Sequence, residues 1–387
     1  MLGAFPSQMI EQMLRDGGVT GSDASRVQPS SLDLTISDEI YKMKGVFLPR
    51  VGEAINDLLR EGSLFPWDLG KPLECGGIYL ARLNETLALR GTVYARANNK
   101  SSTGRVNLQV RLLADGVPRF DALPRGYHGA LWVLLIPRSF SIKLSAGDAL
   151  NQIRFFNADT TLSRAELEAL YDEETLLHTA NGIHISKDRV EFDARGGMTL
   201  TVDLDQPVIG YKCRQSSGII LDFRSRTHDP NDFFEPLHKP KNGQLILRRD
   251  EFYILSTLEH VRVPPTFACE MAAYDPSKGE FRSHYAGFGD PGFGFGKTGE
   301  TPAAPIVLEM ILQDNDVILR HGQPVCKVVF ERLAAPADRP YGTGELQSHY
   351  TLQRGPRLSK HFQTEATRES ANLNLGPLAM THLVTEA

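Results

Sequence analysis

The 387-residue sequence predicts a mainly β protein made of two tandem copies of one module, with a few short helices. Three observations carry that expectation. Most of the chain is short apolar segments cut by Gly, Pro and Asn, the pattern of strands and turns. Segments of the first half recur in the second at a nearly constant offset. The helix signals are few and local.

In chain order, Met9, Ile10, Met13 and Leu14 fall at helical spacing, so Pro6–Asp16 is expected to be helical. Ser7 is the candidate N-cap, and Gly17-Gly18 ends the run. Gln28–Ile36 reads as a strand and Val51–Glu61 as a short helical insertion. Leu73–Leu80 then resembles Leu247–Ile254, an offset of 174, and Glu85 meets Glu259 at the same offset. Leu144–Gly147 and Phe155 resemble Leu319–Gly322 and Phe330, now offset by 175. These matches place one module at 1–160 and the other at 190–350. Between them, in 161–189, Ser163-Arg164-Ala165-Glu166 is a capping box that opens a linker helix to about His178. Residues 351–387 form a tail rich in polar residues.

Net charge −5 argues against a nucleic-acid binder, which would carry a basic face. The four cysteines form no C-x-x-C pair and read as reduced thiols of a cytoplasmic protein. No apolar run approaches membrane-spanning length, and the N-terminus lacks the basic-then-apolar order of a signal peptide. A small molecule is therefore the expected partner, with neither nucleic acid nor membrane.

The stretch Ser283–Met310 organises the rest. It reads as a strand, a Gly-rich turn at Asp290-Pro291-Gly292 and a returning apolar strand, Ile306–Met310, so Asp290 and Glu309 are expected on opposite arms of one hairpin. Glu309 lies inside Ile-Val-Leu-Glu-Met-Ile-Leu, where a carboxylate is costly to bury unless paired or working. On an alternating strand it would simply face water. The repeat weighs against that reading. Where copy two has Tyr274–Gly279, copy one has Lys100-Ser101-Ser102-Thr103-Gly104-Arg105, hydroxyls bracketed by cations, which suits an anion such as phosphate. Where copy two has Asp290 and Glu309, copy one has Leu123 or Pro124 and Leu134. Each copy keeps what the other lacks, which predicts one composite site where unlike modules meet.

These motifs resemble those of the dCTP deaminases of the trimeric dUTPase superfamily. The matching residues are Lys100-Ser-Ser-Thr-Gly-Arg105, Ala286-Gly-Phe-Gly-Asp-Pro-Gly-Phe293-Gly294, Val307-Leu308-Glu309, Arg339-Pro340-Tyr341 and the early strand Gln28–Leu34. The resemblance implies two dUTPase-like (β-clip) modules, each a distorted β-barrel or jelly roll. It further implies that Lys100, Ser101, Ser102 and Arg105 hold the triphosphate and that Asp290 binds the deoxyribose 3′-OH. Val307 and Leu308 would read the cytosine edge, and Glu309 would be general base on the attacking water. Tyr341 would stack or bond near the sugar or phosphates, and His349 and Gln353 would close over the nucleotide. The chain departs from the family in Lys100 for an arginine, Phe288 for an arginine, His349 for a lysine and the insertion Lys297–Pro305. Arg111, Arg119 and Arg125 are candidates to replace the missing arginine.

The expected reaction is deamination of dCTP to dUTP and ammonia, by a homo-oligomer. No His/Cys-x-x-Cys spacing is present, so a zinc-free reaction is expected, with Mg2+ arriving on the triphosphate. Two other readings stay open: a dUTP pyrophosphatase, and a non-catalytic nucleotide-binding protein. Gly292–Gly299 is superficially like a P-loop, but Pro291 stands where its first Gly is required.

Overall fold

The computed structural model describes residues 1–60, 64–214, 218–272, 287–312, 314–343, 350 and 353–364. Tyr274–Gly279, Ala286 and His349 lie outside the described residues.

The protein is mainly β, and the two copies are visible as two sets of sheets. In the first, a nine-stranded sheet follows the path Leu108–Ala114, His128–Pro137, Ile78–Ala88, Leu32–Met43, Ala149–Phe156, Tyr94–Asn99, Ala122–Leu123. Register shifts in three of its ladders bend the strands, so the sheet curls round one apolar core. The second module has a five-stranded sheet centred on Phe252–Val261. Its four-stranded sheet runs Gly197–Thr201, Pro324–Arg332, Phe267–Ala272, Phe288–Gly289, and the two share a second core.

Matched side chains confirm the repeat. Glu85 accepts from the backbone N–H and hydroxyl of Thr35, and Glu259 does the same with Thr201. The Tyr79 hydroxyl accepts from the N–H of Glu74, and the Tyr253 hydroxyl from that of Arg248. The copies differ at Leu134, the counterpart of Glu309. It is buried with Leu80, Leu113 and Trp132 in a small separate core, on which the helix Ile55–Arg60 packs through Ile55 and Leu59.

The modules are stitched together. Ile220–Asp222 pairs in parallel with Ser141–Lys143, and Ala4 bridges both Phe156 and Leu333. The first core also takes in Cys213, Phe233, Phe234 and Phe362.

Several expectations are corrected. The first helix is Ser7–Arg15, but Pro6 stands at its N-cap without a side-chain bond. Ser7 already lies inside the helix, its N–H donating to the Pro29 carbonyl. The strand expected from Gln28 begins at Leu32, because Gln28 and Ser31 close a turn. The helix opened by Ser163 and Glu166 spans Arg164–Glu174 and stops at Thr175, whose φ is 44°. Leu177–His178 is then a strand on Phe252–Val261, and Leu167, Leu170 and Tyr171 pack into the second core. Asp290 and Glu309 do not share a hairpin. Phe288–Gly289, just before Asp290, pairs with Phe267–Ala272, whereas Ala304–Ile311 pairs with Phe252–Val261 in the other sheet. The Gly-rich connection is long enough to cross between sheets. Among the described residues, no helix is long and apolar enough to cross a membrane.

Candidate active site

Ser101–Gly104 forms one helical turn between the strands Tyr94–Asn99 and Leu108–Ala114, with Lys100 extended before it. Ser102, Thr103 and Arg105 are buried. The strand Ala304–Ile311 of the other module comes up against this turn. The contact is so close that a Cβ on Gly104 would lie 2.2 Å from Glu309 Oε2. Unlike modules therefore meet within one chain.

A cavity of about 360 Å³ lies at this junction. Lys100, Ser101, Ser102, Arg105, Asp290, Val307, Glu309, Tyr341 and Gln353 all line it, as the sequence predicts. Leu308 does not. It alternates away from Val307 and Glu309 into the second core, so its side chain cannot read a ligand there.

Glu309 is 5 % exposed, and burial pushes its carboxyl up to about 8, against the opposing pull of Arg105. Burial also raises Asp290, with Arg154 opposing it. The Asp290 turn is fixed from the C-terminal side. Gly292 has φ +90°, and a Cβ there would lie 2.7 Å from Pro340 Cβ, so only glycine fits. The Tyr341 N–H donates to the Pro291 carbonyl at 2.7 Å, and the rings of Phe293 and Tyr341 are 5.7 Å apart.

Arg105 is held in a cage. Its guanidinium donates to the Arg357 carbonyl at 2.9 Å and to Gln353 Oε1 at 3.2 Å, and it stacks 3.9 Å from the Tyr350 ring centre. Gln353 in turn donates to the Pro305 carbonyl at 2.7 Å. Lys100 is ion-paired with Asp33.

The arginine absent at Phe288 is not supplied by Arg111, Arg119 or Arg125, none of which lines the cavity. Arg111 pairs with Asp121 instead. Arg154 comes closest. It is wholly buried, sits 4.2 Å from the Phe288 ring centre and places Nη2 3.4 Å from Asp290 Oδ1. It also donates to the carbonyls of Ser30 and Cys269 and lies 3.5 Å from Glu331. A signal for it existed: a lone charge inside the apolar strand Ala149–Phe156, the same oddity that drew attention to Glu309. Asp33, Asn99, Gln152, Tyr350 and Lys360 also line the cavity and were not singled out from sequence. Gly292–Gly299 forms a series of turns, with Glu300 accepting from the N–H groups of Lys297 and Thr298. Among the described residues, no group of three or more His, Cys, Asp or Glu side chains could hold a metal ion.

The chain matches two family models. One, described as 2'-deoxycytidine 5'-triphosphate deaminase (DCD) N-terminal domain, covers residues 1–159, and the other, its C-terminal domain, covers 163–362. A solved structure titled 2'-deoxycytidine 5'-triphosphate deaminase, from Agrobacterium tumefaciens, is 36 % identical with a TM-score of 0.79, covering 89 % of this chain and 99 % of that one. Among curated proteins, "dCTP deaminase, dUMP-forming" of Mycolicibacterium gilvum is 32 % identical over 136 residues, 34 % of this chain and 67 % of that protein. The enzyme of the same name from Methanosphaera stadtmanae is 29 % identical over 136 residues, covering 34 % and 64 %.

Proposed function

The chain belongs to the 2'-deoxycytidine 5'-triphosphate deaminase family, and from that premise we propose that it deaminates dCTP in the cavity between its modules. The observation that carries the reading is the contact of Glu309 with the Lys100–Arg105 turn. It puts one buried carboxyl and a set of cations and hydroxyls suited to phosphate in a single cavity of nucleotide scale.

Glu309 is the proton shuttle in this proposal. With its carboxyl pushed up to about 8 by burial, it is protonated in the empty site at neutral pH. It can donate to N3 of the cytosine, take a proton from the water that attacks C4, hand that proton to the departing amino group, and recover its own proton from the C4 hydroxyl as the carbonyl forms. The balance is one water consumed and one ammonia released. Val307 shapes the base pocket, Asp290 accepts from the sugar 3′-OH, and Ser101, Ser102, Lys100 and Arg105 bind the phosphates. Tyr341 and Gln353 brace the turn and Arg105 around the nucleotide. Mg2+ would come bound to the triphosphate. The residue that fits its hydration shell is Asp33, whose Oδ1 is buried at the cavity without a hydrogen-bond partner.

The sequence led to dUTP as the product. The curated relatives are named dUMP-forming, and the proposal follows them: bound dUTP loses diphosphate to a second water, leaving dUMP. Incubating the protein with dCTP and magnesium should yield ammonia, dUMP and diphosphate, with Glu309→Gln yielding none. Ammonia with dUTP and no diphosphate would overturn the second step. A nucleotide-dependent thermal shift without ammonia would overturn the deaminase reading.

A further inference from the structure

Lys360 belongs to the polar C-terminal tail in sequence, but in space it is part of the cavity, lining it with Lys100, Ser101, Ser102 and Arg105. The neighbouring Ser359 hydroxyl donates to the Ser102 carbonyl at 2.8 Å, and the Lys360 N–H donates to the Tyr350 hydroxyl at 3.3 Å. These bonds pin the lysine's backbone over the helical turn. A triphosphate brings several negative charges to this cavity. Its other cations share their charge with the protein: Lys100 pairs with Asp33, and Arg105 donates to Gln353 and Arg357, so a third cation adds to what they offer the phosphates.

We propose that Lys360 is a phosphate-binding residue of the nucleotide site, delivered by the C-terminal segment to complete the charge of the Lys100–Arg105 turn. This rests on the deaminase reading above. Burial, then repulsion from Lys100 and Arg226, hold its ammonium down to about 8, with Asp33 pulling the other way. A cation in that state gains most from an incoming anion. Binding above that pH must also take up a proton.

The test compares wild type, Lys360→Met and Lys360→Arg with dCTP and dCMP. The expected result is a KM for dCTP raised about tenfold or more in Lys360→Met near neutral pH, kcat little changed, and a smaller rise for dCMP. In the wild type KM should climb as pH passes upward through about 8, and Lys360→Arg, which stays charged, should flatten that climb and keep a low KM. An unchanged KM in Lys360→Met overturns the assignment, as does an equal loss for dCTP and dCMP. A wild-type chain that turns over no dCTP overturns the deaminase reading instead. Retention of a low KM by Lys360→Arg separates lost charge from lost folding.

Discussion

The carboxylate of Glu309 occupies the space that a side chain on Gly104 would need, with Oε2 2.2 Å from the position of that absent Cβ. The two residues come from different modules and lie 205 positions apart in the chain. Gly104 is in a helical turn, where glycine has no conformational advantage of its own. Its lack of a side chain serves the carboxylate.

Gly104→Ala therefore tests the junction. The new methyl must push Glu309 aside, so kcat for dCTP should fall roughly a hundredfold. Fold stability should change little, which a thermal melt beside the kinetics would show.

Glu309 also ties stability to pH. Its folded carboxyl sits at about 8, against an ordinary value of 4.5, so the native state binds the extra proton between those values. The sign follows: this group's contribution is fully present below 4.5 and is lost as pH rises through about 8. Glu309→Gln removes the charge without changing shape. It should abolish deamination yet be more stable than wild type above pH 8 in chemical denaturation, by an amount on the order of a few kcal/mol.

Arg154 is the buried cation between Asp290 and Glu331. Arg154→Met takes this buried partner from Asp290 and leaves Glu331 with Arg96. Chemical denaturation should show a loss of about 3–5 kcal/mol. At acid pH, where Asp290, raised by burial, is protonated, the gap to wild type should narrow.

Arg105→Lys keeps a charge but loses the planar fork that reaches Gln353, Arg357 and the Tyr350 ring. KM for dCTP should rise about tenfold or more in steady-state assays.

Much of this site was legible in the sequence because duplication left a ruler in it. The constant offset showed which positions correspond, and so which motif each copy had lost. That comparison placed Lys100–Arg105 opposite Glu309 with no knowledge of the sheets. Alternation along a strand was the part misjudged: Leu308 was grouped with its neighbours, although period 2 sends it to the other face. Strand pairing was misjudged for a different reason. Asp290 and Glu309 are separated by a Gly-rich run that reads equally well as a hairpin or as a crossing between sheets, and only packing chooses. Lys360 gave no local sign, since a lysine in a polar tail looks the same whether it is solvated or docked. Arg154 gave one, a charge in an apolar strand, but its partners lie more than 100 residues away.

The small core around Leu134 and Trp132 has a consequence for counting. An ancestral pair of equal modules would offer two equivalent pockets, but the helix Ile55–Arg60 packs against hydrocarbon where the second acid would stand. The polypeptide should titrate in a calorimeter as monovalent, one nucleotide per pair of modules, however many chains assemble.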